Sequence, residues 1–289
     1  MSKFGIDVSQ HQGIINWDLV KSQINFVILR LGWIGNKNNH TIDTQFERNY
    51  SECKRLGIPV GVYVYCYCSN ENTAKDGANW TIERLKGKSL DLPVYIDMED
   101  SSIANQGRDR LTNICIAFNS IIEANGLWAG VYANRNWFDN YLNKDEIKRR
   151  YTTWIATYTS GTDKYKGEYD IWQNSSKGKI NGINGNVDTN YMYRDLVAQI
   201  GNKEVSEPTD NNSNKGDFEM PKVWKNGSKN EPVYADTAFT KKIGTIFPRG
   251  EALCYGIRDG RYLVSYDVFS KGKLVSRKVG FVLYDGGVR

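Results

Sequence analysis

The chain has 289 residues, of which 40% are hydrophobic and 25% charged, a composition typical of folded proteins and a length that suits two domains. No apolar run approaches the roughly 20 residues of a membrane-spanning helix, so we expect no membrane partner. The first residues, MSKFGIDVSQ, have no apolar core, so we expect no secretory signal. The five cysteines are an odd number, which favours synthesis in a reducing cytoplasm over a disulfide framework.

The net charge of +5 is concentrated at one end of the chain. Residues 1–217 contain 25 basic and 26 acidic residues, whereas residues 218–289 contain 13 basic and 7 acidic residues. The segment GNKEVSEPTDNNSNKGD, residues 201–217, has the composition of a linker. We therefore predict a first domain over residues 1–200, a linker over 201–217 and a basic second domain over 218–289.

Strand-like and helix-like segments alternate in the first domain. Eight strands are predicted, at residues 4–9, 25–32, 61–68, 93–100, 128–134, 151–158, 169–175 and 185–191. Helices are predicted between the earlier strands, with Asn16 and Asn72 as N-caps, at residues 16–24, 42–57, 72–87 and 110–126. This alternation predicts an α/β fold with parallel strands. Because short loops separate the last three strands, we expect an irregular (β/α) barrel of eight strands, with a doubly wound open sheet as the alternative.

The stretch PVYIDMED, residues 93–100, places acidic residues at the end of an apolar strand. Asp97 and Glu99 are two positions apart, so they share one face of the predicted fourth strand. Asp7 ends the first strand, and Asp188 lies in the eighth. Functional sites of (β/α) barrels lie at the C-terminal ends of the strands, and strands one and eight are neighbours in a closed barrel. We therefore predict that four carboxylates meet at one mouth.

Two chemistries use such a cluster of carboxylates. The first is the binding of Mg²⁺ or Ca²⁺, which prefer oxygen ligands. The second is glycoside hydrolysis, which needs one protonated and one ionised carboxyl group. Crowding of like charges suits hydrolysis, because it raises the pKa of one member. Aromatic residues at the predicted mouth also favour sugar binding, although about half are expected to be core residues. They are Tyr63, Tyr65, Tyr67, Tyr132, Trp154 and Trp172.

Two cysteine-based sites are weaker alternatives. Cys66 and Cys68 form a Cys-x-Cys pair, but further ligands for a zinc ion are missing. A Cys/His hydrolase would use His11, after the first strand, with Cys68, at the end of the third. However, the cysteines alternate with the tyrosines of the third strand, so one of the two sets must face the helices.

The quoted motifs resemble glycoside hydrolase family 25, the lysozymes of the Chalaropsis type, found in phage endolysins and bacterial autolysins. The resemblance runs from about residue 4 to residue 195, and the ordered set of motifs carries it. They are GIDVSQHQGIINW (5–17), GVYVY (61–65), YIDMED (95–100), WAGVYAN (128–134), WIATY (154–158), IWQNSS (171–176) and GNVDTNY (185–191).

The resemblance implies roles for the acidic residues. Glu99 matches the general acid, and Asp97 matches the carboxylate that orients the N-acetyl group of the substrate. Asp7 and Asp188 match the other two acidic site residues. Tyr63 and Tyr132 match the active-site tyrosines of the family. Tyr65, Trp154 and Gln173 are also expected to bind substrate. Val64 departs from the histidine of many members, and neither a metal nor another cofactor is expected.

The family implies hydrolysis of the β-1,4 bond between N-acetylmuramic acid and N-acetylglucosamine in peptidoglycan. The N-acetyl group can then serve as the internal nucleophile, the substrate-assisted exception among glycosidases, and inversion is the alternative, which depends on the separation of the carboxyl groups. A chitinase-like glycosidase and an inactive wall-binding protein are the alternatives. With no expected signal peptide, we expect an endolysin that is made in the host cytoplasm and acts on the bacterial wall after release.

The second domain is predicted to contain short β-strands, over residues 231–236, 241–268 and 278–287, with a hairpin turn at Asp259-Gly260. This pattern resembles a bacterial SH3-like wall-binding domain. Its positive charge predicts binding to anionic wall polymers, and the absence of a nucleic-acid motif argues against nucleic acid. Met220 could be an internal start codon, and we expect the resulting free module to associate with full-length chains.

Overall fold

The computed structural model describes residues 2–36, 39–161, 164–204, 216–225, 231–235, 242–246, 251–258, 261–270 and 273–283. The chain folds as two compact units, Met1–Glu207 and Pro208–Arg289.

The first unit is built around one sheet. Its strands are β1 (Lys3–Val8), β2 (Phe26–Gly35), β3 (Thr41–Ile42), β4 (Val60–Tyr67), β5 (Val94–Asp97), β6 (Ala129–Asn134), β7 (Thr152–Ala156), β8 (Ile171–Gly178) and β9 (Val187–Met192). Strand β1 pairs with both β2 and β9, which closes eight of these strands into a barrel. The short β3 pairs only with β2, outside the ring. The predicted eight-stranded barrel is confirmed, and the open sheet is wrong.

The last strand of the barrel runs against its neighbours. The pairings from β1 through β8 around the ring are parallel, but β9 is antiparallel to both β8 and β1. The prediction of parallel strands is therefore wrong for β9, the strand that contains Asp188. The connection between β8 and β9, residues 179–186, is too short for β9 to run parallel to β8, because a parallel crossover needs about a dozen residues or more. Asp188 lies near the start of β9, where its Cα is the ladder partner of the Asp7 Cα.

Helices surround the barrel. They are α1 (Trp17–Val20), α2 (Phe46–Leu56), α3 (Glu71–Leu85), α4 (Arg108–Ala124), α5 (Arg135–Asn140), α6 (Lys144–Arg150) and α7 (Leu196–Glu204). The first four correspond to the predicted helices. The N-cap of α3 is Asn70 rather than the predicted Asn72, because its carbonyl oxygen accepts the backbone N–H groups of Asn72 (3.0 Å) and Thr73 (3.1 Å). Within the described ranges, no helix combines the length and the apolar character that crossing a membrane requires.

Alternating side chains on the strands form two apolar layers. The outer layer lies between barrel and helices and includes Cys66 and Cys68, as the alternation predicts. Val64 and Trp172 are in the same outer layer, so the prediction that Trp172 belongs to the mouth is wrong. The inner layer fills the barrel and includes Trp154. Tyr63 packs against this inner layer.

The described residues of the second unit form six strands. They are β10 (Gly216–Lys225), β11 (Glu231–Tyr234), β12 (Lys242–Ile246), β13 (Glu251–Arg258), β14 (Arg261–Ser270) and β15 (Lys273–Leu283). Their order is β10-β13-β14-β15-β11-β12, with antiparallel pairing throughout. The predicted turn residues Asp259 and Gly260 lie outside the described residues, but β13 and β14 pair through Arg258 and Arg261 on either side. The SH3-like assignment stays a prediction.

The segment predicted as a linker, residues 201–217, overlaps regular structure at both ends. Helix α7 continues to Glu204, and β10 begins at Gly216. Residues 205–215 lie outside the described residues.

Candidate active site

A cavity of about 210 Å³ opens at the mouth of the barrel. Asp7 is the next-to-last residue of β1, Asp97 ends β5, Glu99 follows two positions later, and Asp188 is the second residue of β9. The structure brings these four carboxyl groups together, and all nine predicted site residues line the cavity. Two further residues, Arg30 and Tyr158, complete the lining. The catalytic and binding roles of these residues stay predictions.

Asp7 is held by amide groups. Its Oδ2 accepts hydrogen bonds from Gln173 Nε2 (2.9 Å) and Asn190 Nδ2 (2.8 Å). The Asn190 carbonyl oxygen accepts in turn from Trp154 Nε1 (2.8 Å). Gln173 Oε1 accepts from the hydroxyl groups of Tyr132 (3.0 Å) and Tyr158 (3.2 Å). The orientation of Asp7 is therefore fixed by residues of β8 and of the antiparallel strand β9.

Asp97 is buried but less completely satisfied. Among the described residues, its Oδ1 atom has no hydrogen-bond partner. Burial, and then the charge of Glu99, raise the pKa of Asp97 well above its usual value. An unpaired, buried carboxylate oxygen is costly, and a hydrogen-bond donor from a ligand would remove that cost.

Glu99 lies beside Asn134, the last residue of β6. The side-chain carbonyl oxygen of Asn134 caps α5 by accepting a hydrogen bond from the backbone N–H of Trp137 (3.1 Å). The side-chain NH₂ group of Asn134 therefore remains as a donor. Burial raises the pKa of Glu99, a hydrogen bond from Asn134 opposes this, and the charge of Asp188 adds to the increase. A carboxyl group with a raised pKa can stay protonated long enough to act as a general acid.

Asp7 and Asp188 form a close pair across the β1–β9 ladder. Burial raises the pKa of Asp188 to about 6. Burial, and then the charge of Asp188, also raise the pKa of Asp7, although the two amide donors oppose the increase. Both groups therefore hold protons more tightly than free carboxyl groups.

The aromatic residues of the cavity pack mainly against one another. The Trp154 ring lies 4.4 Å from Tyr132 and 5.9 Å from Tyr63, measured between centroids. Trp154 is almost fully buried, so it supports other residues more than it offers a stacking surface. The Tyr65 hydroxyl donates to Asp100 Oδ2 (3.1 Å). Tyr67 and Tyr158 are the exposed rings at the rim, and they are the surfaces on which a sugar can stack.

A second cavity, of about 350 Å³, adjoins the first and extends the mouth into a groove. The two cavities share Asp7, Arg30, Tyr63 and Asp188. The second continues to polar residues of the loops after β1 and before β9, which are Ser9, His11, Gln12 and Asn186, and to Ser176 of β8.

The structure also bears on the alternative chemistries. His11 lines the groove, but Cys68 is buried in the outer layer, so the Cys/His hydrolase hypothesis is wrong. In the part of the chain that the structure describes, no three Asp, Glu, His or Cys side chains are arranged to hold a metal ion.

Sequence reasoning missed four polar residues of the site: Arg30, Asn134, Tyr158 and Asn190. Arg30 interrupts the apolar run NFVILRLG, which was a usable signal, because a charged residue inside a buried strand needs a reason. Asn190 stands two positions after Asp188 on the same strand face, so it could have been inferred from the alternation.

A barrel mouth with buried carboxyl groups of raised pKa and exposed aromatic rings is the arrangement of a glycoside hydrolase. Residues 6–183 match the family described as glycosyl hydrolases family 25, and the chain belongs to that family.

Several relatives of known structure or curated sequence resemble the first unit. The autolytic lysozyme of Clostridium acetobutylicum is 25% identical over 205 residues, covering 71% of this chain and 59% of that protein. The modular autolysin LytC of Streptococcus pneumoniae matches with a TM-score of 0.59 at 31% identity, over 66% of this chain and 47% of that one. The CTP1L endolysin matches with a TM-score of 0.58 at 25% identity, over 69% and 70%. The chain thus spans less than two thirds of the first two relatives.

Proposed function

We propose that this protein is a peptidoglycan hydrolase, an N-acetylmuramidase that cleaves the β-1,4 bond between N-acetylmuramic acid and N-acetylglucosamine. The observation that carries the proposal is that Asp97, which is buried, and Glu99, which is half-buried, line one mouth and each have a raised pKa. Relatives described as lysozymes or autolysins support it, and LytC has been solved with a synthetic peptidoglycan ligand.

In this mechanism, Glu99 donates a proton to the leaving glycosidic oxygen. Asp97 accepts a hydrogen bond from the N–H of the 2-acetamido group, and the acetamido oxygen attacks the anomeric carbon. Glu99 then takes a proton from the water that opens the intermediate. The unpartnered Oδ1 of Asp97 is suited to the acetamido N–H, whereas Asp7 Oδ2 already accepts two hydrogen bonds.

Mass spectrometry of digested peptidoglycan tests this function. Products with muramic acid at the reducing end would support a muramidase, and products with glucosamine there would refute it. Comparison with polymers of N-acetylglucosamine separates the chitinase-like alternative, which predicts faster cleavage of those polymers. A wall-binding protein without activity would sediment with walls but release no products.

The proposal extends to the basic second unit, as a domain that binds anionic wall polymers. Its excess of positive charge supports electrostatic attraction, which salt screens within about 10 Å at 0.1 M. Full-length Glu99→Gln should sediment with cell walls at low salt, and less so as salt is raised or after teichoic acids are stripped. Binding that is insensitive to both treatments would argue for a specific neutral ligand instead.

The endolysin role and the internal start at Met220 belong to the same proposal. In this role, the enzyme accumulates in an infected cell and acts on the wall after a separate pore releases it. The activity of the CTP1L endolysin is regulated by a secondary translation product, which supports an internal start here. Met220 lies within β10, and a chain that starts there keeps the ladder from Lys222–Lys225 to β13.

Expression of the native gene and of Met220→Ala tests the internal start. A short C-terminal product that appears only with the native gene would support it, and a single full-length product from both would end it.

A further inference from the structure

Arg30 occupies an unusual position in the barrel. It lies in β2 and lines both cavities of the groove. Of the described residues that line either cavity, it is the one Lys or Arg. A single cation among four carboxyl groups has a strong influence on what can bind there.

Arg30 is fixed from behind by Asp43. Arg30 Nε donates to Asp43 Oδ2 at 2.7 Å. Asp43 is buried, and it also accepts the backbone N–H groups of Gln10 (2.9 Å, to Oδ2) and Gln45 (2.9 Å, to Oδ1). These contacts join the loop after β1 and the start of α2, so they hold the guanidinium in one orientation.

The ion pair with Asp43 leaves one nitrogen of the Arg30 guanidinium without a hydrogen-bond acceptor among the described residues. Arg30 Nη2 is buried and, within the described ranges, has no hydrogen-bond partner. A buried ion pair contributes little net stability, and an unpaired donor costs free energy, so stability alone does not account for this arrangement.

Of the residues that line the cavity, Arg30 therefore carries one buried, unused donor and Asp97 one buried, unused acceptor. Asp97 Oδ1 is the acceptor, and no ion pair within 4.0 Å joins it to Arg30 in the described structure. A secondary amide presents the complementary pair of atoms, since its carbonyl oxygen accepts and its N–H donates. A charged donor such as guanidinium favours the carbonyl oxygen, the stronger acceptor in a glycan.

We propose that Arg30 is a specificity-determining residue that donates a hydrogen bond from Nη2 to the carbonyl oxygen of an amide on the substrate, with Asp43 as its positioning residue. The inference rests on the proposed function, because it takes an N-acylated wall glycan as the ligand. Two amides of that glycan share the chemistry, the 2-acetamido group and the amide that joins the lactyl group to the peptide.

Equilibrium binding to full-length Glu99→Gln tests the inference without requiring cleavage. The ligands are N-acetylglucosamine tetrasaccharide, the glucose tetrasaccharide that has neutral hydroxyl groups in place of its acetamido groups, and muramyl tetrasaccharides whose lactyl group either carries the peptide or is reduced to a neutral alcohol. Each is titrated against Glu99→Gln alone, against Glu99→Gln with Arg30→Gln, and against Glu99→Gln with Arg110→Gln. Arg110 is an exposed residue of α4, so its substitution removes the same charge away from the groove.

We expect loss of the recognised amide to weaken binding to the parent by about 10- to 100-fold, the usual range for a hydrogen bond to a charged group. Loss of the same amide should change the affinity of the variant that also carries Arg30→Gln by less than about threefold. The variant that also carries Arg110→Gln should behave as Glu99→Gln alone. The ligand pair that shows this difference identifies the amide. If Arg30→Gln weakens every ligand by the same factor, or weakens none, the inference is wrong.

Two further variants guard against a folding defect. Arg30→Gln leaves the carboxylate of Asp43 buried without its cation. The double variant Arg30→Gln with Asp43→Asn replaces this charge by a neutral pair of amides. Thermal unfolding measures the stability of each protein. Asp43→Asn alone should reduce the difference in affinity between ligands with and without the amide, although Asp43 does not touch the ligand. If the full-length protein fails to cleave peptidoglycan, the proposed function is wrong, whereas the binding comparison still decides the role of Arg30.

Discussion

Asp7 and Asp97 lie on different sides of the same mouth and are almost equally buried, at 4% and 3% exposed. Asp7 nevertheless accepts two amide hydrogen bonds on one oxygen, whereas Asp97 has an oxygen that no described residue contacts by a hydrogen bond. The difference comes from their neighbours. Gln173 and Asn190 reach Asp7 from β8 and β9, while the ladder partners of Asp97 are Tyr65 and Tyr132.

This contrast separates two uses of a buried carboxyl group. The satisfied side of the mouth has a fixed geometry and no spare acceptor on Asp7 Oδ2. The unsatisfied side stores an unfavourable arrangement that a ligand can relieve, which is a common feature of sites prepared for binding. The unsatisfied side should therefore be the more sensitive to substitution.

Glu99→Gln removes the proposed general acid beside Asp97, and we expect it to have the largest effect. Because the amide cannot transfer a proton, we expect the rate of peptidoglycan cleavage to fall by about 10²- to 10⁴-fold, with the fold retained. Release of reducing sugars measures the rate, and circular dichroism monitors folding. Glu83→Gln, at an exposed position of α3, is the matched control and should behave as the parent. Near-parental cleavage by Glu99→Gln would remove Glu99 from its proposed role.

Asp97→Asn and Asp7→Asn compare the two sides directly. We expect Asp97→Asn to lower kcat by about 10²-fold, because a charge aimed at the developing transition state is lost. Asp7→Asn can still accept both amide hydrogen bonds on its remaining oxygen, so we expect a loss of about fivefold. Steady-state kinetics on soluble glycan fragments measures both. Equal losses would erase the distinction between the two sides.

The two tyrosines that bind Gln173 sharpen the account of the satisfied side. Tyr132 is 6% exposed and Tyr158 is 60% exposed, yet both donate to Gln173 Oε1. Water can replace the Tyr158 hydroxyl but not the buried Tyr132 hydroxyl. We expect Tyr132→Phe to lower kcat/KM by about fivefold and Tyr158→Phe by less than about twofold. The reverse order would show that direct contact of Tyr158 with the glycan outweighs its support of Gln173.

The pH dependence of stability provides the smallest test. Burial raises the pKa of Asp188 to about 6 in the folded chain, against about 3.9 for a free Asp, so the folded state binds the extra proton between these values. Stability of the parent therefore falls as pH rises through this window. Because Asp188 is partly exposed, solvent screening reduces the effect to about 1 kcal/mol. Asp188→Asn lacks this loss, so its Tm relative to the parent should rise by about 2–4 °C from pH 4 to pH 7.

Asp195→Asn is the control for this measurement. A hydrogen bond from Lys3 lowers the pKa of Asp195, so its contribution to stability is present above pH 4 and is lost as pH falls. The control should therefore show no relative gain in Tm as pH rises. A gain of the same size in both variants would point to net charge instead of the burial of Asp188.

Much of the barrel could be predicted from the sequence, because each strand is a short apolar run with a clear boundary. The direction of β9 could not be read from its residues, since strand alternation looks the same in either direction. The short loops between the last three strands, including residues 179–186, indicated an irregular barrel but not which strand runs in the opposite direction. The short helices α5 and α6 were also missed, because they are only six and seven residues long.

The site was predictable to the extent that it depends on carboxyl groups. Asp7, Asp97, Glu99 and Asp188 stand out because acidic residues are rare in strands. Trp172 and Gln173 show the limit of the approach. They are adjacent, so they face opposite layers, and only the position of the strand in the barrel decides which one reaches the mouth.

The closure of the barrel by β9 has a consequence for how the enzyme is made. Asp7 accepts a hydrogen bond from Asn190, which lies 183 positions further along the chain. The first and last barrel strands must therefore both have left the ribosome before the site exists. At usual rates of translation, roughly 10 to 40 s separate the synthesis of these two residues. Nascent and truncated chains of this domain therefore lack an assembled site, and the last strand to be synthesised completes it.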